Sequence, residues 1–152
     1  MHFPLRYLGG SNSVRFNPLK IGGVLLLIII TTLLVCGGAD KSEINELMDA
    51  RDQAYSHLNI ADYSALINNN YHDQGRSKVD VVAQMVALFD RFDRAEMQSH
   101  DRQIQQVDDS HALCEQSYTL KVMADGKWRQ IVQREQLTLS KESDGWKISG
   151  GL

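Results

Sequence analysis

The sequence predicts an α+β fold, in which N-terminal helices pack on one face of an antiparallel sheet. Apolar side chains recur with a helical period up to Arg94 and with a strand period after it. Asp125-Gly126 and Asp144-Gly145 are typical of tight β-hairpin turns, so the strands should form a meander. Helices that precede such a meander, rather than alternate with its strands, are typical of α+β proteins.

Two helices are predicted first. Residues 40–58 form the longer one, and Asp40 and Glu43 have the spacing of a capping box at its start. Asp62 is expected to cap a short second helix over residues 63–67. The apolar face of the longer helix, which should pack on the sheet, consists of Ile44, Leu47, Met48, Ala54, Tyr55 and Leu58.

A polar loop over residues 68–76 is predicted to lead to the third helix. Gly75 interrupts the loop, and Ser77 is expected to cap the helix, which covers residues 78–92. The predicted apolar face of this helix consists of Val81, Val82, Met85, Leu88, Phe89 and Phe92.

Four strands are predicted after the helices, over residues 96–107, 112–124, 127–141 and 146–149. The second strand alternates between apolar and polar side chains, as a half-buried strand does. The third strand has apolar side chains on both faces, which predicts a β-bulge in it. The apolar face of the second strand consists of Ala112, Cys114, Tyr118, Leu120 and Val122.

An uncharged apolar run, Ile21 to Cys36, precedes the predicted domain. Arg15 and Lys20 stand before it, which is the layout of a signal peptide. The run is short for a free-standing membrane helix, which needs about 20 apolar residues. We therefore expect residues 1–36 to be a signal peptide or membrane anchor, and residues 40–152 to form a domain on the extracytoplasmic side of the membrane.

The end of this run, Leu33-Leu34-Val35-Cys36, resembles the lipoprotein box of bacterial lipoproteins. In that family a signal peptidase cuts before the cysteine, which then carries the lipid. Leu33 fits the pattern, whereas Val35 departs from it, because a smaller residue usually precedes the cysteine. The resemblance implies lipidation of Cys36 and a periplasmic location. An uncleaved anchor and cleaved, soluble export remain alternatives.

The charge distribution and the ligand spacings exclude several classes of function. All 19 acidic residues lie at or after Asp40, together with 13 of the 16 basic ones, so this part carries a net charge of −6. Without a basic stripe we expect no nucleic-acid binding. The histidines are scattered, and there is no phosphate-binding loop, so we expect no metal and no cofactor.

The pattern over residues 40–152 resembles the nuclear transport factor 2-like superfamily, also called SnoaL-like or cystatin-like. The stretches that carry the resemblance are "DARDQAYSHLNIADYSALI", "GRSKVDVVAQM" and "LTLSKESDGWKISGGL". The resemblance implies a cone-shaped α+β barrel, in which the curved sheet and the first helix enclose a pocket, and often a homodimer formed through the sheet. Members include isomerases, dehydratases and cyclases, so the fold alone implies no activity.

Several polar residues are candidates for the interior of such a cone. Gln116 lies between Cys114 and Tyr118 on an apolar face, where it needs a hydrogen-bond partner, a ligand or a position at the rim. Aromatic side chains that could border a pocket, or belong to the core, are Tyr55, Tyr63, Tyr71 and Trp146.

Charged residues on the strands form a second group of candidates. Arg134 and Glu135 are adjacent, so one of them should face inward, and a charge there would mark a ligand site. His100 and Arg102 have the spacing of one strand face and could supply its partner. The alternative is that all four decorate a solvated sheet or a dimer face.

His72-Asp73 and His100-Asp101 have the composition of a general base with a carboxylate. Adjacent residues point in different directions, however, and His72 lies in a polar loop, so an exposed histidine is favoured there. The sequence therefore favours a membrane-anchored domain of binding or accessory type, holding a small hydrophobic ligand and forming a homodimer. An enzyme acting by proton transfer in the cone and a protein-interaction scaffold with a filled interior are the alternatives.

Overall fold

The computed structural model describes residue 38 and residues 40–152. The predicted signal segment and Cys36 lie outside these residues. No helix in the described part of the chain combines the length and hydropathy of a membrane span. The helices are α1, residues 40–56, α2, Ile60–Ala65, and α3, Lys78–Phe89. The strands are β1, His72–Asp73; β2, Arg76–Ser77; β3, Arg94–Gln106; β4, His111–Ala124; β5, Lys127–Glu142; and β6, Gly145–Gly150.

The four long strands form an antiparallel sheet in the order β3-β4-β5-β6, and helices precede it. This confirms the predicted fold class, a curved antiparallel sheet with helices packed on it. Among the described residues, the shorter strands β1 and β2 pair only with each other. Residues 138–142 of β5 pair with β6, whereas residues 127–137 have only β4 beside them within the described chain.

The core lies between the helices and the inward face of the sheet. Every second residue of β4 points inward, as the sequence predicts, and Cys114 is fully buried on that face. Leu137 and Leu139 of β5 and Ile148 of β6 are also fully buried. Removal of such side chains from water is the main source of stability for this layer, at roughly 25 cal/mol per Å² of apolar surface.

Local chemistry shifts two elements from their predicted places. Asn59, and not Asp62, caps α2, because its side-chain oxygen accepts hydrogen bonds from the main-chain N–H groups of Ala61 and Asp62, each at 3.1 Å. The predicted loop contains the β1–β2 hairpin, whose turn residues Gln74 and Gly75 both have positive φ, 50° and 77°. Such a turn favours glycine and matches the twist of paired strands.

The predicted helix caps at Ser77 and at Asp40 have different outcomes. Ser77 and Asp80 form the reciprocal box that starts α3, so the predicted start of that helix is confirmed. Asp40 instead directs its carboxylate to the sheet, where it accepts hydrogen bonds from Lys141 at 2.5 Å and Gln106 at 3.0 Å. The N-terminus of α1 is therefore tied to β3 and β5 by side chains.

In β5, the strand with an expected β-bulge, the pairing with β6 shifts register between Thr138 and Leu139, and the extra residue, Ser149, lies on β6. The pairing of β5 with β4 is unbroken from Lys127 to Ser140, and the two sets of apolar side chains of β5 occupy its two faces. β3 has a bulge with an extra residue of its own, between His100 and Gln103, where Asp101 has a φ of 54°. The extra residue reverses which side chains of β3 point inward.

Helix α1 covers β3, the edge strand of the sheet. The main-chain N–H of Met97 donates to the Ser56 hydroxyl at 2.9 Å, and that of Ser99 donates to the Asp52 carboxylate at 2.7 Å. An edge strand otherwise leaves such groups unpaired. These contacts fix the rotation of α1, and so they determine which of its side chains reach the interior.

Candidate functional site

A cavity of about 320 Å³ opens between the three helices and the inward face of β4 and β5. Its volume is within the range of small-molecule sites. The apolar part of the wall comes from α3, and the polar part comes from α1, β4 and β5. The lining residues that determine its character are Arg51, Tyr55, Tyr63, Arg76, Leu88 and Glu135.

A buried ion pair forms one wall of the cavity. Arg51 Nη1 and Nη2 donate to Glu135 Oε1 and Oε2 at 2.6 and 2.9 Å, and the two side chains are 4% and 13% exposed. Burial opposes the charge on Arg51, but the Glu135 carboxylate raises the pKa of the guanidinium above its ordinary value. The Nε of Arg51 is buried and has no hydrogen-bond partner among residues 38 and 40–152. The pair is therefore bidentate, and its two opposite charges neutralise each other.

Two further side chains extend the pair into a network. Gln116 donates to Glu135 Oε1 at 2.8 Å, and its own oxygen accepts a hydrogen bond from Arg102 Nε at 2.9 Å. Arg102 also contacts Asp49 of α1 at 2.9 Å. The network joins β3, β4 and β5 to α1 behind the cavity, and it satisfies the buried glutamine.

Tyrosines border the ion pair. The rings of Tyr55 and Tyr63 meet edge to face, with centroids 5.4 Å apart, and the Arg51 guanidinium lies 5.5 Å from the Tyr55 centroid. Burial raises the pKa of Tyr55, Tyr63 and Tyr118 above the ordinary value of tyrosine. The hydroxyls therefore stay protonated near neutral pH; that of Tyr118 donates to Gln133 at 2.6 Å, and those of Tyr55 and Tyr63 can donate hydrogen bonds to a ligand.

The mouth of the cavity is formed by β2 and the last residues of the sequence. Arg76 Nη2 donates to the main-chain oxygen of Leu152, and Arg76 Nη1 donates to Gln84 Oε1 at 3.4 Å. The Tyr71 hydroxyl donates to the same Leu152 oxygen at 3.3 Å. Gly151 has a φ of 92°, and a Cβ there would collide with the main-chain oxygen of Gln136, so only glycine allows the chain to reach this position.

The structure brings most of the residues singled out in the sequence to one place. Tyr55, Tyr118 and Glu135 line the cavity, while Gln116 and Arg102 lie directly behind Glu135. Tyr71 does not line the cavity but contacts Leu152, which does. Trp146 lies in the core, and its indole N–H donates to Asp40.

The prediction that His100 and Arg102 share a face is wrong. His100 lies opposite Ser117, on the outer face, whereas Arg102 reaches the inward-pointing Gln116. The bulge at Asp101 separates them, and the His100 ring contacts Asp101 at 2.9 Å instead. His100 is therefore outside the cavity and cannot partner Glu135.

The remaining charged candidates lie on the surface. His72 is exposed on β1, and Arg134 points to the outer face, where it contacts Glu115 at 2.8 Å. The part of the chain that the structure describes contains no group of three or more side chains placed to hold a metal ion. No histidine is among the residues that line the cavity.

The sequence pattern does not single out Arg51 or Arg76. A charged residue in a helix usually faces solvent, and Arg51 lies within α1. A signal was nevertheless present, because Met48, Arg51 and Tyr55 are three and four residues apart and share the apolar face. Arg76 lies in a segment that was predicted to be an exposed loop.

The comparisons with known proteins place the chain in one family. The SnoaL-like domain matches residues 42–150. None of the curated proteins matches the chain. Among solved structures, a Kribbella flavida protein superposes with a TM-score of 0.68 at 15% identity, covering 76% of this chain and 89% of its own.

Two further solved structures are similar. One is described as a candidate dehydratase of the NTF2-like family from Streptomyces avermitilis, with a TM-score of 0.67, 11% identity, and coverage of 75% of this chain and 94% of its own. The other is described as a candidate scytalone dehydratase from Novosphingobium aromaticivorans, with a TM-score of 0.68, 11% identity, and coverage of 76% and 83%. Identities this low show a shared fold and no shared activity. Since the family match spans most of the sequence, the chain belongs to the SnoaL-like domain family.

Proposed function

We propose that the protein is a membrane-anchored, extracytoplasmic binding protein whose cavity takes a small, largely apolar molecule. The cavity of about 320 Å³ is the observation that carries the proposal. Val81, Met85 and Leu88 supply apolar wall, and the tyrosine hydroxyls supply a few fixed polar groups. This combination is typical of sites for small ligands. A scaffold with a filled interior would have no such space.

The state of the Glu135 carboxylate favours binding over proton transfer. Its two oxygens accept three hydrogen bonds, two from Arg51 and one from Gln116. A general base must instead present a free oxygen within hydrogen-bond reach of the substrate proton. The other ionisable side chains in the lining are Arg76, which is a cation, and tyrosines whose pKa is raised by burial, and these are poor bases at neutral pH.

Native mass spectrometry of the full chain, extracted from its membrane, tests the proposal. We expect a retained small molecule, released on unfolding. Leu88→Trp should fill the cavity and abolish retention. Val86→Trp is the matched control, because Val86 is 40% exposed on the same helix and does not line the cavity. The proposal is contradicted if Leu88→Trp still retains the molecule. It is also contradicted if the wild-type chain retains no molecule and no apolar probe stabilises it.

The same material distinguishes a binder from an enzyme. If the wild-type chain converts the retained molecule into a product, and Tyr55→Phe slows that conversion without changing affinity, the enzyme alternative replaces the binding proposal. We expect the molecule to be recovered unchanged after prolonged incubation. The two candidate dehydratases are a reason to include loss of water among the conversions examined.

The location and the assembly are parts of the same proposal. Intact-mass analysis of membrane-extracted protein should show a chain that begins at Cys36 and carries acyl groups. A mass that includes the preceding residues and no acyl groups contradicts lipidation.

We propose a homodimer through the outer face of the sheet, where Trp128 and Val132 are 50% and 60% exposed. Trp128→Glu should give a monomer in sedimentation, and a monomeric wild-type chain contradicts the dimer.

A further inference from the structure

We infer that the ligand is a neutral carbonyl compound, whose oxygen accepts a hydrogen bond from the hydroxyl pair of Tyr55 and Tyr63 in the cavity wall. The inference rests on the proposed function, since it assigns a chemical class to the ligand of the same cavity. It makes the cavity selective for small ketones, aldehydes and esters over alcohols of the same shape.

The burial of these two tyrosines is the first observation. Both line the cavity, Tyr55 is 9% exposed, and Tyr63 is 1% exposed. Their rings meet edge to face, and Phe89 packs against both of them, with centroids at 5.4 and 6.2 Å. A hydroxyl held in such a place costs free energy unless it has a hydrogen-bond partner. Each of the two hydroxyl protons therefore needs an acceptor.

The neighbours of the hydroxyl pair are hydrogen-bond donors, which is the second observation. Burial raises the pKa of Tyr63, and the Arg51 guanidinium and the Tyr55 hydroxyl oppose part of this rise as donors beside the Tyr63 oxygen. A guanidinium has five N–H groups and no acceptor. Arg51 Nε is itself buried without a partner among residues 38 and 40–152. This part of the wall therefore holds more donors than acceptors.

The number of protons in the pair is the third observation. Tyr55 and Tyr63 carry one hydroxyl proton each. A hydrogen bond between the two hydroxyls uses one of these protons, whichever tyrosine donates it, and Arg51 accepts neither. At least one hydroxyl proton of the pair is therefore left to donate to an oxygen outside the pair.

The other side-chain acceptors of the lining already bind donors, which is the fourth observation. They are the carboxylate of Glu135 and the amide oxygens of Gln84 and Gln133. The carboxylate accepts three hydrogen bonds. The amide oxygen of Gln84 accepts one from Arg76, and that of Gln133 accepts one from Tyr118. An oxygen of the ligand is thus the acceptor that the cavity leaves for the tyrosine pair.

The charges of the lining favour a neutral oxygen. Arg51 and Glu135 neutralise each other through two hydrogen bonds. Arg76, at the mouth, donates to Leu152 and Gln84 and lies at the rim, away from the buried pair. A charged ligand group beside the tyrosines would lose its hydration without gaining an opposite charge, and this loss is costly.

The same shortage of acceptors favours a carbonyl over an alcohol. An alcohol oxygen can accept from the tyrosine pair, but its own proton would then compete for the oxygens that already bind other donors. A donor left unpaired in a buried site costs more than the hydrogen bond beside it contributes. A carbonyl oxygen accepts and has no proton to place. The cavity volume of about 320 Å³ is large enough for an aromatic ketone.

Equilibrium dialysis of the full chain in amphipol tests the inference, with empty amphipol as the reference. The probes share one apolar body, and they are acetylnaphthalene, naphthylethanol and ethylnaphthalene. We expect the wild-type chain to bind the ketone about fivefold or more tightly than the alcohol. The double variant Tyr55→Phe/Tyr63→Phe should remove this preference and leave the affinity for ethylnaphthalene unchanged, because only the two hydroxyls are lost.

Tyr71→Phe is the matched control. Tyr71 is also buried, but it does not line the cavity, and its hydroxyl already bonds Leu152. We expect this variant to keep the preference for the ketone. The infrared carbonyl stretch of acetylnaphthalene bound to the wild-type chain supplies a second readout that needs no variant. It should lie below its position in hexane, since a hydrogen bond to the oxygen weakens the C=O bond.

The outcomes separate failure of the inference from failure of the proposed function. Equal affinity of the wild-type chain for ketone and alcohol, an unshifted carbonyl stretch, or a preference that the double variant keeps overturns the carbonyl assignment and leaves a binding cavity. Loss of the preference in Tyr71→Phe also overturns it, because a general change in the cavity would then explain the loss. If none of the three probes binds and no molecule is retained from the membrane, both the inference and the binding proposal are wrong.

Discussion

Arg51 and Arg76 line the same cavity, yet their surroundings assign them different tasks. Arg51 is 4% exposed and holds a carboxylate through two hydrogen bonds. Arg76 is 34% exposed, and it donates hydrogen bonds at the rim of the cavity to Gln84 and to an oxygen of Leu152, the last residue of the sequence. A charge in a cavity wall is therefore not by itself evidence of a ligand site. The charge indicates a ligand only when the chain has not already neutralised it.

The difference follows from the cost of desolvation. Removal of an ion from water costs several kcal/mol unless a partner and additional hydrogen bonds replace the lost hydration. Arg51 meets this condition through Glu135, which Gln116 holds in turn. Arg76 remains partly hydrated, so its desolvation costs less than that of Arg51.

Glu135→Gln should have the largest effect on stability. The change leaves Arg51 as a buried cation without a carboxylate, so we expect the free energy of unfolding in urea to fall by about 3–5 kcal/mol. If Arg51 were as replaceable as Arg76, the loss would be below about 1 kcal/mol. A loss that small would end the distinction drawn between the two arginines.

A double variant provides the control for that experiment. Arg51→Met with Glu135→Leu removes both charges and keeps apolar volume in the wall. Buried ion pairs replaced in this way are often neutral in stability or better. We therefore expect the double variant to be more stable than Glu135→Gln alone, which shows that the unpaired charge, and not the lost volume, causes the damage.

Gln116→Leu should have the next largest effect. Its removal leaves Arg102 Nε without its acceptor and takes one of two hydrogen bonds from Glu135 Oε1, and a buried group left without its partner costs about 1–3 kcal/mol. Gln136→Leu is the matched control, because Gln136 is exposed and donates a hydrogen bond to Glu115 of β4 on the outer face of the sheet. We expect the control to change the unfolding midpoint by much less. Equal losses for the two glutamines would mean that the buried network adds no stability of its own.

The elements that could be predicted from the sequence are those governed by short-range patterns. The alternation of side chains along β4 predicts that Gln116 points inward. Arg134 and Glu135 are adjacent in β5, so one of the two must face inward. Ser77 starts α3 because its capping partner, Asp80, is three residues away. These features depend on neighbours in the chain, which the sequence displays directly.

The partner of Glu135 could not be predicted because it depends on the packing of distant elements. The sequence suggested His100 or Arg102 from a neighbouring strand. The bulge at Asp101 turns His100 outward, and the contacts of α1 with β3 bring Arg51 to Glu135 from a helix 84 positions away. A bulge at a non-glycine residue leaves little trace in a hydrophobic pattern. A cation within an apolar helical stripe is the signal that deserves more weight in such sequences.

Asp40→Asn should have a smaller, pH-dependent effect at the other end of α1. The hydrogen bond from Lys141 lowers the pKa of Asp40 below its ordinary value of 3.8. A carboxyl with a lowered pKa in the folded state adds stability above its unfolded-state pKa, and this stability disappears as the pH falls through the folded-state value. The unfolding free energy of the wild-type chain should therefore drop more steeply than that of Asp40→Asn below about pH 4. Parallel curves would show that the carboxylate does not stabilise this end of the helix.

Arg76→Gln should have the smallest effect on stability. Its ion pair with Asp73 is long and exposed, so we expect the urea midpoint to change by an amount that corresponds to less than about 1 kcal/mol. Arg76→Lys sharpens the comparison further, since it keeps the charge but not the planar fork. Stability equal to wild type in both variants would show that Arg76, unlike Arg51, is not required in the cavity wall for the fold. A loss of 3 kcal/mol or more, near the value expected for Glu135→Gln, would instead make both arginines structural.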